Sequence, residues 1–201
     1  KLDYKICILS SVSLNAEKII INFLTKINFK FLNINLNNIP KIYKFKYASK
    51  ELGADRIANT FSAINKYGKN SLVIDFGTAT TFDLVLNNIY KGGIIAPGIE
   101  VSHNALVANT SKLKKISLIR VKKIIGTNTK VSMQSGFYWG YVSLLNGLIN
   151  KILSEYKLNP IIILTGGLAN TFKKEINFAC IYEPNLTLEG LYLIGLKHYA
   201  Q

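Results

Sequence analysis

A chain of 201 residues with 49% hydrophobic and 18% charged residues and only four prolines has the composition of an ordinary globular protein with its own core. Disorder is excluded, and no apolar run approaches the roughly 18 residues of a membrane span. The net charge of +14 raises a nucleic-acid surface, but 23 of the 25 basic residues are Lys, scattered without a block, and the fork-shaped phosphate and base reader Arg occurs only as Arg56 and Arg120. The charge therefore reads as solvated lysine, with no specific nucleic-acid partner and no membrane, although it can draw in anionic substrates such as nucleotides.

In chain order, residues 5–12 predict a short buried strand and residues 14–27 an amphipathic helix capped by Ser13 or Asn15. Phe29–Leu36 reads as a second strand, Asn37–Pro40 as a loop, and Lys50–Tyr67 as a helix closed by Gly68. Ser71–Phe76 is a compact apolar strand, and Thr81–Leu86 and Ile89–Ile95 are strands joined through a tight Asn87-Asn88 turn. A helix is expected over Val101–Thr110, then a basic connector over Lys112–Ile125. Ser132–Tyr156 predicts a long helix with Met133, Phe137, Tyr141, Leu144, Leu145, Leu148, Ile152 and Leu153 facing inward. A strand at Ile161–Leu164, a short helix, a strand near Ala179–Tyr182 and a helix from Leu188 follow. Cys7 and Cys180, far apart and without CxxC spacing, are expected to be reduced core residues of a cytoplasmic protein; no signal pattern stands at the start of the chain.

The chain holds four Asp, and three of them (Asp55, Asp75 and Asp83) share a short window with Arg56. In Leu72–Asp83 an apolar strand delivers Asp75 to its end, and Gly77-Thr78-Ala79-Thr80-Thr81 follows. Such a turn can aim backbone N–H groups and hydroxyls at a phosphate while the carboxylate holds a cation. Gly53-Ala54-Asp55-Arg56 places a carboxylate and one of two arginines at a helix start, where Arg suits planar, bidentate recognition. Thr165-Gly166-Gly167 after an apolar strand lets a purine or phosphate approach the backbone. His103 and His198 lack metal-ligand spacing and read as surface or packing residues.

Taken in order, LGADRIAN, DFGTATTFD, GGIIAPGI, GTNT with SMQSGFYWGY, LTGGLA and NLTLEGL resemble the type III pantothenate kinase family over about Tyr47–Leu191. The resemblance implies an α/β fold of the acetate and sugar kinase, heat-shock chaperone and actin superfamily: two ribonuclease-H-like lobes with mixed sheets flanked by helices and the nucleotide in the cleft. The rear part of the first lobe would occupy 1–67 and the second lobe 68–201. It implies transfer of the γ-phosphoryl of ATP to the primary hydroxyl of pantothenate, the first step of coenzyme A synthesis. Asp55 would be the catalytic base; Tyr47, Gly53, Ala54, Asp55, Arg56 and Thr129 would bind pantothenate. Thr78, with Gly77, Gly166 and Gly167, would bind ATP, Asp75 would bind potassium or ammonium, and magnesium would accompany ATP. The family is typically a homodimer with the pantothenate pocket at its interface. Two departures stand out: Ala48-Ser49 follow Tyr47 where the family has Asn-Pro, and nothing matches the family's opening Asp-x-Gly-Asn-Thr phosphate loop. The first lobe is therefore expected to be incomplete, and these 201 residues alone are expected to bind ATP poorly, to self-associate and not to turn over. The alternatives on the same fold are a non-catalytic regulator, like the transcription accessory factors of the family, and a decayed inactive homologue.

Overall fold

The computed structural model describes residues 6–40, 44–47 and 52–199; Asp3, Lys5, Ala48, Ser49 and Lys50 lie outside them. The architecture is mixed α/β. The elements run β1 (Ile6–Leu9), α1 (Leu14–Lys26), β2 (Lys30–Asn33), β3 (Lys44–Phe45), α2 (Ala54–Tyr67), β4 (Ser71–Phe76), β5 (Ala79–Leu86), β6 (Ile89–Pro97), α3 (Ile99–Ala108), α4 (Thr129–Tyr156), β7 (Ile161–Gly166), α5 (Ala169–Phe172), β8 (Cys180–Tyr182) and α6 (Leu186–Tyr199). Strands β1 and β2 pair in parallel with Cys7 opposite Phe31, as the intervening α1 crossover allows. The other strands hydrogen-bond in the order β3-β6-β5-β4-β7-β8, with β3 parallel to β6 and β7 parallel to β8.

The chain forms two compact units, one of residues 1–73, 83–93 and 185–201, the other of 74–82 and 94–184. A linear division at 67–68 follows the order of the motifs, whereas compactness follows packing, and packing brings the β5–β6 hairpin end and α6 to the first unit. There α2 is buried on nearly every side from Arg56 to Ile64, and its Ile57, Phe61 and Ile64 join Leu32, Ile34, Val85, Tyr90 and Ile194 in one core. Helix α6 lies against α2 so closely that a Cβ on Gly190 would come within 2.0 Å of the Ala58 carbonyl oxygen. Polar contacts flank that seam: Thr187 Oγ1 donates to Asn59 Oδ1 at 2.7 Å, and Lys66 Nζ meets Glu189 at 2.9 Å. In the second unit Phe76, Tyr141 and Phe172 cluster, the Phe76 and Phe172 rings stacked at 6.1 Å and Tyr141 4.8 Å from Phe172.

Several elements differ in extent from the sequence expectation, each for a local reason. β1 stops at Leu9 because Ser11 Oγ and Ser13 close a turn, and Ser13 then caps α1. β2 stops at Asn33 because Asn35 and Asn38 side chains accept from backbone N–H groups in place of a strand partner. α4 begins at Thr129, capped by Asn128 Oδ1 accepting from Val131 N–H at 3.0 Å. Its most buried line runs through Gln134, Tyr138, Tyr141, Leu145 and Ile149, so Phe137, Leu144, Leu148, Ile152 and Leu153 lie at its half-buried margins. Hydropathy misplaced that stripe because two inward residues are polar and partnered: Gln134 donates to Ser117 O and Tyr138 to Glu175. Cys7 and Cys180 are free thiols and half-buried.

Candidate active site

In the first unit the site is the N-terminus of α2. Gly53 is the N-cap and its carbonyl takes the first helical bond from Ile57. The Asp55 carboxylate turns back to accept the Arg56 N–H at 2.7 Å, which satisfies a donor that a helix start leaves open. Asp55 is half-exposed while Ala54 and Arg56 on either side are buried. Arg56 is held inside the protein: its Nε and Nη2 both lie 2.8 Å from Asp83 Oδ1, and Nη2 also donates to Tyr90 Oη at 2.8 Å. Tyr90 Oη donates to the same Asp83 oxygen at 2.7 Å. Tyr47 completes the cluster, its ring 5.7 Å from the guanidinium carbon and edge-on to Tyr90. Burial works against the Arg56 charge, but Asp83 outweighs it and the guanidinium pKa is raised. Burial first, and then Asp83, hold the Tyr90 phenol well above its usual range. The sequence placed Asp83 with the phosphate-type turn; the structure gives it to Arg56, and Tyr90 is a member of the site that no sequence motif marked.

In the second unit the turn after β4 is built as a backbone cradle. Gly77 N–H bonds Ala79 O and Gly98 N–H bonds Thr78 O, both at 3.1 Å. Gly166 has φ +90°, and a Cβ there would fall 2.5 Å from Asp75 Oδ1 and 2.6 Å from Phe76 N, so only glycine lets β7 end against Asp75. Gly167 beside it is exposed. Of the three turn threonines, only Thr78 is exposed. Thr80 is fully buried with its hydroxyl bonded to Tyr141 Oη, and Thr81 is 8% exposed, so neither is aimed outward from the turn. Asp75 Oδ1 shares the space against Gly166 with the backbone N and O of Phe76. Among the described residues no cluster of three or more His, Cys, Asp and Glu could hold a metal ion.

Thr129 is the first residue of α4 and lies exposed in a cleft of about 730 Å³ in the second unit, with Leu106, Leu113, Gly126 and Phe137 also in its wall. Residues 110–128 that lead to it carry neither helix nor strand. His103 is a buried packing residue and His198 is exposed.

The family model for type III pantothenate kinase matches residues 1–151. The chain belongs to the type III pantothenate kinase family. It is 39% identical over 188 residues to the type III pantothenate kinase of Pelagibacter ubique, an alignment covering 92% of this chain and 75% of that one. Against the type III pantothenate kinase of a Sulfurihydrogenibium species the identity is 42% over 196 residues, covering 94% and 76%. Type III pantothenate kinases are enzymes, and these relatives support a pantothenate kinase role. A solved structure from Campylobacter jejuni, described as a candidate Baf family transcriptional activator, superimposes with a TM-score of 0.65 at 21% identity over 96% of this chain and 82% of its own, which establishes a shared fold. No helix among the described residues is long and apolar enough to cross a membrane.

Proposed function

We propose that this protein phosphorylates the primary hydroxyl of pantothenate with ATP to give 4′-phosphopantothenate. The observation that carries the reading is the start of α2, where a half-exposed Asp55 carboxylate stands next to a buried Arg56 that is bonded to Asp83 and Tyr90. Asp55 accepts the hydroxyl proton as the new O–P bond forms and the bond from the γ-phosphorus to the bridging oxygen breaks, releasing ADP. Phosphoryl transfer through a loose transition state asks for position and charge neutralisation more than for a strong base, so a well-placed carboxylate suffices. Tyr47, Gly53, Ala54, Arg56 and Thr129 bind pantothenate in this reading, and Gly77, Thr78, Gly166 and Gly167 bind ATP with its magnesium.

Asp75 would hold the potassium or ammonium ion. A carboxylate close to the Phe76 carbonyl supplies two oxygens of the kind such a hard cation takes. When bound, the ion offsets charge on the phosphates. The lobes of this reading are ribonuclease-H-like, with the pantothenate motif in 1–67 and the cation and nucleotide motifs in 68–201. The protein acts as a cytoplasmic homodimer.

The test is mass-spectrometric detection of 4′-phosphopantothenate from pantothenate, MgATP and potassium or ammonium, using protein expressed from its complete reading frame. Asp55→Asn is expected to lower kcat at least about 100-fold with little change in stability. Near-normal turnover in that variant removes Asp55 from the chemistry, and a folded wild type that yields no product with either cation overturns the reading.

A further inference from the structure

The segment joining α3 to α4 is irregular but tied down at intervals. Helix α4 supplies donors to its carbonyls: Gln134 Nε2 to Ser117 O at 3.1 Å, Trp139 Nε1 to Val121 O at 3.2 Å, Ser135 Oγ to Ile124 O and Ser132 Oγ to Gly126 O at 3.3 Å. Helix α3 holds it with the opposite polarity. His103, 6% exposed, accepts the Ile116 N–H on Nε2 at 3.2 Å, and its ring stands edge-on to Phe137 at 5.2 Å. A ring nitrogen that accepts carries no proton, so this hydrogen bond is one that only the tautomer with its hydrogen on Nδ1 can make.

We propose that His103 is a positioning residue whose neutral imidazole latches the 110–128 segment in place, and that protonation of the ring opens the latch and loosens the cleft that carries Thr129. A second proton would sit on Nε2 and face the Ile116 N–H, turning an acceptor into a donor opposite a donor. The Gln, Ser and Trp anchors keep their sense across the neutral range. The charged groups sharing the cleft beside His103 are Glu100 on its own helix and Lys115 on the segment; α4 presents Phe137, and the chain around α5 presents Leu168, Thr171 and Phe172, none of which titrates. Ile116 lies between Leu113 and Gly126–Thr129, and both of those stretches line the same 730 Å³ cleft with Leu106 and Phe137. The α4 donors still hold the segment from Ser117 to Gly126, so releasing Ile116 loosens the Leu113 side of that wall.

The experiment is hydrogen exchange of the Ile116 amide at pH 8 and pH 5.5, corrected for the intrinsic rate, in the protein from its complete reading frame and in His103→Gln and His103→Leu. Protection in the wild type should fall about tenfold at the lower pH, the worth of one hydrogen bond. His103→Gln keeps an acceptor at every pH and should stay protected, while His103→Leu should be unprotected at both. Equal wild-type protection at the two pH values, or the same acid loss in His103→Gln, overturns the latch. The ring nitrogen shifts of wild-type His103 give a check that needs no variant, and a proton on Nε2 at pH 8 likewise overturns it. A second arm rests on the pantothenate kinase reading: KM for pantothenate should rise on acidification in the wild type, more than kcat falls, and should not rise in His103→Gln. Exchange that follows the expected pattern in a protein without turnover supports the latch and counts against that reading.

Discussion

Two aspartates separated by 28 positions do different work. Asp83 is fully buried and neutralises Arg56, so removing its charge leaves a guanidinium inside the protein without an anion. Asp83→Asn should cost about 3–5 kcal/mol in chemical denaturation, whereas Asp55→Asn should cost little because Asp55 touches solvent. A denaturation midpoint unchanged in Asp83→Asn would show that Arg56 is solvated. Tyr90 adds a pH signature. Its phenol is held above the usual value near 10, so above that pH the unfolded chain releases a proton that the native protein keeps. The contribution of Tyr90 is therefore fully present below about pH 9 and is lost as the pH rises through 10 and beyond. Tyr90→Phe should flatten part of that alkaline loss, leaving the contributions of Tyr138 and Tyr141, whose phenols burial also raises; stability curves at pH 8, 10 and 11 check the difference.

The β4–β5 hairpin separates two threonines by one pleat. Thr78 at the turn is exposed, and Thr80 inside β5 is bonded to Tyr141. Thr78→Ala should raise KM for ATP about tenfold with stability unchanged, and Thr80→Val should lose about 1–3 kcal/mol of stability with KM for ATP unchanged. Initial rates and denaturation of the pair decide it, and a reversal of the two effects would move the nucleotide contact to Thr80. The same hairpin shows what the amino-acid order could reveal. Ser71–Phe76 and, as far as Leu164, Ile161–Gly166 were legible because strands buried on both faces read as continuous apolar runs. For the same reason the order could not say which threonine faces out, since β5 has no polar face to alternate against. β3, only Lys44–Phe45, is too short to leave a pattern. Asp55-Arg56 was legible as a local motif, but the Arg56–Tyr90 contact spans 34 positions and depends on the β5–β6 hairpin, which periodicity does not position.

At the scale of the whole chain, a charge of +14 carried almost entirely by lysine should give only weak, sequence-independent binding to DNA. The log of the binding constant should fall steeply and linearly with log salt, with no detectable complex near 0.15 M; filter binding across a salt series checks this, and a sequence-specific complex that persists at physiological salt would reverse it. The close seat of Gly190 on Ala58 bears on how the protein is made. Thr187 on α6 and its partner Asn59 on α2 are 128 residues apart, and at about 5–20 residues per second that is roughly 6–25 s of synthesis. Until α6 leaves the ribosome, the groove at Ala58 and Asn59 is open and α2 lacks the cover of Ile194. The helix that presents Asp55 is therefore finished late, and its apolar groove stays uncovered by α6 until the last elements have been made.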